Sequence, residues 1–392
     1  MPMQPRERMG DWQAAALLGL LTSGFSTLAV TLASARTGRD VSVDWMMVGS
    51  ILLRDGGLQA EPGWRELGVG ILIHLSAGFF WAVVFFGLLG RWTARRSPWA
   101  LLPVALAWAP LTSGIEYALI LPWLQPLFVM QQPYWTGLAV HLIASSLYPL
   151  YPWIRDRLAG RRSPWAGFAR VWGSLAAAGL VVLAALAILG SRDREPPWLA
   201  LLGAHGVAFD RGFLRRMTAD HAMGVEMARL AAERAEDPEL RSLARLMIAD
   251  QSGEMAIMER WWRSWFAPAM PPLSPAEHAV MPGMPAPEEV MRLEAASGRT
   301  FDGAFVNVMT RHHEGAIAMA EEAMARAADP RVWLIAQSIR HARRNQVAVL
   351  RGLAAGREAE EPLAPGETPA TAAHDAPHGQ GQAAPGREGT TP

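Results

Sequence analysis

Met309 and Met319 flank the adjacent pair His312 and His313 in a chain of 392 residues that has no cysteine. Thioether sulfur and neutral imidazole are the donors that suit soft monovalent cations, Cu(I) and Ag(I), whereas Mg or Ca would call for clustered oxygens. About 92 residues earlier the same pattern occurs once more, with Met217, His221 and Met227 in the equivalent places and Asp220 where the second histidine would stand.

The repetition extends well beyond the ligand-type residues. DRGFLRRMTADHAMGVEMARLAAERAEDPELRSLA aligns without gaps with DGAFVNVMTRHHEGAIAMAEEAMARAADPRVWLIA, so this half of the chain is an internal duplication. In each copy an Asp-Pro step, Asp237-Pro238 or Asp329-Pro330, marks where one helix ends and the next begins. The Asp is the N-cap acceptor and the Pro occupies the first helical position, where no N–H is required. Two helix pairs predict a four-helix bundle, with helices over about 210–236, 238–266, 301–328 and 330–353 and a Pro- and Met-rich crossover at Ala267–Pro287.

At 100° per residue, Phe305, Met309, His312, His313, Ala316 and Met319 fall on one stripe, and Arg311, Glu314, Glu321 and Glu322 on the other. The histidines therefore face the interior, and the first copy places Met217, Asp220, His221 and Met227 likewise. On the following helix the inward stripe includes Gln251 and Glu254, whose counterparts carry Arg343 and Gln346. Two readings remain open for such a stripe: core filling by Met with hydrogen-bonded interior histidines, or a metal site. Repeated burial of paired polar groups beside methionines favours the second, because unpaired polar burial is costly. Asp220 and Glu254 are then partners that orient imidazoles rather than ligands. Met281 and Met284 in the crossover are in reach to close over a site, His278 and His341 are left aside, the latter because it lies off the apolar stripe, and His374 and His378 near the C-terminus are weak additional candidates.

The stretch MPGMPAPEEVMRLEAASGRTFDGAFVNVMTRHHEGAIAMAEEA resembles the bacterial family called domain of unknown function 305, which includes periplasmic copper-binding proteins of the CopM type. The shared pattern is a small Met loop, Ala-Ser-Gly ahead of Phe-Asp, then Met-x-x-His-His-x-x-Ala-x-x-Met. It covers Met281 to Met319 here, within a wider resemblance over about Asp210–Leu353. The resemblance implies a ferritin-like four-helix bundle that binds copper or silver and is not an enzyme. Asp220 departs from the paired histidine in the first copy. A di-iron oxidase, the other occupant of such a fold, needs Glu-x-x-His pairs on inward faces, and the bundle sequence has none.

These elements sit in a chain that is 51% hydrophobic with a formal net charge of zero, a balance that gives no sign of nucleic acid as partner. The apolar residues crowd the first half, in five runs long enough to cross a bilayer: about Trp12–Ser34, Leu67–Gly90, Trp99–Leu124, Trp135–Ile154 and Val171–Gly190. Pro103, Pro110 and Pro122 make the third irregular. Arg91, Arg95 and Arg96 in one short loop and Arg155, Arg157, Arg161 and Arg162 in another mark the cytoplasmic side. The segments Ala35–Arg65 and Gln125–Tyr134 then lie outside, and everything after about Ser191 is periplasmic in a bacterial inner membrane protein. Trp172 and Trp198 read as interfacial anchors. The expected fold class is all-α, with a transmembrane domain at 1–195, a bundle at 210–353 and a disordered tail at 357–392.

Within that topology His74, Glu116 and His141 lie at one depth, roughly 9–12 Å below the outer surface at 1.5 Å per residue. Ionisable residues at such a depth are functional candidates by default. The leading expectation is membrane-anchored handling of copper or silver by the periplasmic bundle, possible partners being metal ions, lipid and another periplasmic metal-handling protein. Two alternatives are a membrane redox protein with His74 and His141 as haem ligands and a ligand-free interaction scaffold.

Overall fold

The computed structural model describes residues 5–37, 40–93, 96–190, 208–266 and 269–360, and every regular element among them is helical. Trp198, His374, His378 and the expected tail beyond 360 lie outside the described residues. Residues Met1–Ala354 form one compact unit and Ala355–Pro392 another.

Among the described residues, four helices are long and apolar enough to cross a membrane. They lie in α1 (Pro5–Thr37), α3 (Trp64–Leu88), α4 (Pro98–Leu124) and α7 (Ala166–Gly190). The fourth expected run, Trp135–Ile154, is not one helix. It breaks into α5 (Tyr134–Ser145) and α6 (Tyr151–Leu158), joined by a turn and the 3₁₀ segment Tyr148–Leu150. Pro149 and Pro152 remove two backbone donors there, and the indole of Trp172 donates to the Ser146 carbonyl at 2.9 Å at the break. The kinks expected in the third run take the form of a π turn at Glu116–Ile120, placed just ahead of Pro122.

The segment Ala35–Arg65, expected to lie on the outer side as a connection, contains α2 (Val41–Leu53), capped by the Asp40 carboxylate on the Ser42 and Val43 amides. It packs across the start of α3 with almost no space between backbones. A Cβ on Gly70 would stand 2.0 Å from the Trp45 carbonyl, and one on Gly49 would stand 2.5 Å from that of Glu66. Gln125–Tyr134 likewise carries a short helix, Pro126–Gln131.

The second half is the expected bundle: α8 (Ala208–Arg234), α9 (Pro238–Phe266), α10 (Gly298–Arg326) and α11 (Pro330–Glu360). The beginning of α8 packs with the end of α10, and the end of α8 with the beginning of α10, so these two run antiparallel. Each copy of the duplication completes the other. Asp210 accepts the Ala328 and Asp329 amides at 3.1 and 2.9 Å, and Asp302 accepts those of Glu236 and Asp237 at 3.2 and 3.1 Å. The turn residue Asp237 in its own right caps α9 through the Glu239 and Leu240 amides.

The bundle rests on α2 and its neighbours. Leu246 and Ala249 join a core with Met46, Met47 and Leu58, Arg245 donates to the Leu58 carbonyl at 2.8 Å, and Asn345 donates to that of Met130 at 2.7 Å.

Asp302→Ala leaves two partly buried turn amides without their acceptor and is expected to cost about 1–2 kcal/mol. Glu321→Ala, which breaks an exposed pair with Arg344, is expected to cost less than about 0.5 kcal/mol. Unfolding midpoints of the two variants measure the difference; equal costs would remove the reciprocal caps as a stabilising feature.

Candidate metal centre

The middle of the bundle is a buried polar layer between two apolar ends. α8 supplies Asp220 and His221, α9 supplies Asp250, Gln251 and Glu254, α10 supplies His312 and His313, and α11 supplies Arg343 and Gln346. Three of the four helices carry methionine on both sides of their polar step, and the sulfur-bearing residues divide accordingly. Met217, Met258, Met281 and Met319 belong to one apolar core, and Met227, Met247 and Met309 to the other. The seven residues singled out in the sequence are thus brought to one bundle interior, with the thioethers in two groups on either side of the imidazoles.

Charge within the layer is organised by Arg343. Its guanidinium donates to Asp250 at 2.7 Å, to Glu254 at 2.6 Å and to the Gln346 amide oxygen at 3.3 Å. Burial lowers its pKa, but the Glu254 and Asp250 charges outweigh that and hold it above the usual arginine value. Glu254 also accepts from His221 Nε2 at 2.8 Å, and Asp220 stands 3.5 Å from His221 Nδ1. Burial pulls His221 down, yet the hydrogen bonds to Asp220 and Glu254, with the Glu254 charge, raise it overall. Burial, reinforced by the Glu254 charge, pushes Asp250 up.

His312 and His313 are in the opposite condition. Burial pushes both below the ordinary imidazole value. The Asp220 charge partly offsets this for His312, while Arg343 drives His313 further down. Asp220 lies 3.7 Å from His312 Nε2, too far for a hydrogen bond. No ring nitrogen of either histidine makes a hydrogen bond of good geometry, although the Gly283 backbone lies near His312 and the Gln346 side chain near His313; both ends of the Gln251 amide, the Gln346 nitrogen and one oxygen of Asp220 are likewise unpaired. Leaving a buried polar group unpaired costs about 1–3 kcal/mol each. A neutral imidazole with a free lone pair is the form that binds a metal ion.

The crossover closes on this site from outside. Gly283 has φ +72°, and the Pro282 carbonyl lies 2.0 Å from where a Cβ on Gly315 would be, so the Met281–Met284 turn sits directly on α10 beside His312. Met281 is buried there and Met284 half-buried. Arg215 pins the same crossover by donating to Glu277 and to the Pro271 and Pro272 carbonyls, which holds the Glu277 carboxyl down at about 2. Among the described residues no three His, Asp or Glu side chains already converge as a closed metal site, which leaves thioethers as the remaining donors. His341, set aside in the sequence, is half-buried and lies 3.3 Å from Asn345.

Asp250 is the polar member that the sequence reading missed. Its signal was indirect: Arg343 lies on the apolar stripe with no acidic residue within four positions on its own helix, so its counter-charge had to come from a neighbour.

Among the apolar helices of the first half, His74, Trp81, Glu116 and His141 line both a cavity of ≈ 280 Å³ and a smaller one of ≈ 60 Å³. His141 Nε2 lies 3.0 Å from Glu116, which also accepts from the Trp81 indole, and His141 Nδ1 pairs with Thr112 at 2.8 Å. His74 pairs with Ser26 at 3.1 Å.

Apolar membrane-length helices followed by a ferritin-like bundle with a His/Met interior define the class of protein. Residues 210–354 match the family described as domain of unknown function (DUF305), and in this segment the chain belongs to that family. A DUF305 fragment from Deinococcus radiodurans is 31% identical, matched over 39% of this chain and 99% of that one, with a TM-score of 0.36. A DUF305 protein from Streptomyces coelicolor is 27% identical over 38% and 92% of the two chains, with a TM-score of 0.35. CopM in its Cu(I)-bound form is 27% identical over 38% and 96%, with a TM-score of 0.33. Comparison with curated proteins gives no match.

The depressed histidines carry a pH signature. Below pH 6.5 the unfolded chain protonates His312 and His313 while the native bundle resists, so they withdraw stability as pH falls through that value. His221, raised in the native state, contributes stability below 6.5 that is lost as pH rises through its elevated value. Asp250, raised above 3.8, opposes the histidine pair at the acid end. Metal-free His312→Gln/His313→Gln protein should therefore show a flatter fall in unfolding midpoint from pH 7 to pH 5. An unchanged slope would mean that the pair is already charged in the native state.

Proposed function

We propose that the bundle binds Cu(I) or Ag(I) through His312 and His313 with Met309, Met319, Met217 and Met227, and that His221 completes the set from the first copy. Asp220 and Glu254 orient the imidazoles. The observation that carries this reading is the set of four ring nitrogens without a hydrogen bond of good geometry on two neutral, fully buried histidines between two groups of thioethers. An ion bound there relieves the unpaired burial that the metal-free bundle otherwise bears. Relatives support it: CopM structures have been solved in Cu(I)-bound, Cu(II)-bound and Ag-bound forms.

On this reading the first part, about residues 1–195, anchors the protein in a bacterial inner membrane, and the bundle at 210–353 works on the periplasmic side in metal homeostasis or tolerance. Support comes from the four membrane-length helices and from the arginines of the short loops. The broken pair α5–α6 then acts as the fifth crossing. The haem alternative has no comparable support, because His74 and His141 direct Nε2 to Ser26 and Glu116.

Silver titration of the full chain in detergent tests the site. His312→Ala/His313→Ala should weaken binding by about 100-fold, within the range seen when a metal site loses key groups, while far-UV ellipticity is retained. His341→Ala should bind as the parent does. Unchanged affinity in the double variant would favour histidines that merely fill the core. For topology, reporters fused after Gln132 and Gly203 should give periplasmic signals and one after Gly160 a cytoplasmic signal. Agreement between the Gln132 and Gly160 reporters would show that α5–α6 does not cross.

A further inference from the structure

The ≈ 280 Å³ cavity among the apolar helices is walled mainly by carbon, with Trp45, Phe80, Trp81, Tyr117 and Phe128 around it. Phe80 and Ile120 belong to this wall and are also exposed on the outside of the helices, so the cavity lies just behind an apolar surface. A dry cavity of about 150 Å³ holds one benzene ring, and this one has room for about two fused rings. What such a ligand must carry follows from the hydrogen bonds that the polar part of the wall leaves unmade.

Glu116 and His141 are already satisfied. The Thr112 hydroxyl donates to the Trp108 carbonyl at 3.0 Å, so its oxygen accepts from His141 Nδ1 at 2.8 Å. His141 Nε2 then meets one Glu116 oxygen at 3.0 Å with a single proton shared between them, and the other Glu116 oxygen accepts from the Trp81 indole. The pair is neutral as a unit and calls for no cation.

His74 is in a different condition. The Ser26 hydroxyl donates to the Ser23 carbonyl at 3.0 Å, so toward His74 its oxygen is the acceptor, and Nε2, 3.1 Å away, carries the ring proton. Nδ1 is left with a lone pair that no described residue answers, and unlike the ring nitrogens of His312 it is not sealed off by packing. Trp45 stands edge-on to this imidazole at 5.3 Å, and both rings line the cavity. Thr136 Oγ1, buried without a partner, is a second unanswered group in the same wall.

We propose that the cavity binds a lipid-soluble aromatic alcohol, a phenol or quinol ring, whose hydroxyl donates to His74 Nδ1 while the ring lies among the aromatic walls. A hydroxyl fits better than a carbonyl, because the unanswered atom of His74 is an acceptor and needs a donor. It fits better than an amine, because the carboxylates in the wall already have partners, Asp44 through the Gln132 amide at 2.7 Å and Glu116 as above. Thr136 is available to a second oxygen on the ring. Entry from lipid past Phe80 and Ile120 rests on the membrane placement proposed above; binding in the cavity does not.

The test uses the full chain in detergent and α-naphthol as probe, with bound probe counted by equilibrium dialysis against micelles without protein. The methyl ether of α-naphthol, which keeps the rings and the oxygen but cannot donate, is the comparison. Expected results are saturable binding of one α-naphthol per chain, with the ether at least about tenfold weaker, the effect of one hydrogen bond lost at a desolvated group. His74→Phe should bring the two probes to equal affinity with far-UV ellipticity retained, and Ala77→Phe, which fills the cavity, should abolish saturable binding of both. Equal affinity of the two probes for the parent chain would overturn the proposal, and this comparison stands even if the substituted chains fail to fold. Selectivity that survives His74→Phe, or saturable binding that survives Ala77→Phe, would put the probe elsewhere and overturn the site. Tighter binding of α-naphthylmethylamine than of α-naphthol would overturn the alcohol in favour of an organic cation. Uptake no greater than that of protein-free micelles would remove the ligand altogether.

Discussion

One guanidinium, that of Arg343, determines the chemistry of the bundle interior. It is fully buried, so it demands counter-charge, and it takes Asp250 and Glu254 from α9. Glu254, so fixed, holds His221 in turn, while the same positive charge helps to keep His313 neutral. Removing one partner from such a buried set typically costs about 3–5 kcal/mol because the others are left uncompensated. The layer therefore behaves as a unit: burial and the Arg343 charge keep two histidines neutral, while the carboxylates that answer Arg343 keep the third engaged.

Apart from His221 and its equivalent His313, the positions that make this layer are those where the two copies differ. Gln251 corresponds to Arg343, Glu254 to Gln346, Asp220 to His312 and Gly224 to Ala316. Gly224 makes room for Gln251, whose amide oxygen would lie 2.3 Å from a Cβ there. The shared residues, Phe213 with Phe305 and Met217 with Met309, build the apolar ends. The repeated residues keep the framework, and most of the layer's charge sits where the copies differ.

Much of the bundle was legible because its signals are local. The Asp-Pro steps mark the helix starts, and helical periodicity puts His221, His312 and His313 inside. The residues that were not legible depend on contacts across elements. Asp250 faces inward only because Arg343 on another helix meets it. The helix α2 was hidden in a segment of mixed charge, since its stability comes from the glycine-lined approach to α3 and from the bundle above it. The break between α5 and α6 was hidden for the converse reason: Trp135–Ile154 is apolar over most of its length, and hydropathy alone does not register Pro149 and Pro152.

The exchange of carboxylates between Asp210 and Asp302 bears on how the bundle arose. Each helix pair takes the acceptor for two amides of its own turn from the other pair and supplies one in return. A single pair on its own would have both its turn and its apolar stripe unfinished, and a second identical pair turned through a half-rotation would finish both. That is an isologous contact, the same patch meeting itself. The duplicated chain is in this sense a two-fold dimer written twice on one polypeptide, and joining the halves released one of them to carry an arginine where its twin keeps a glutamine.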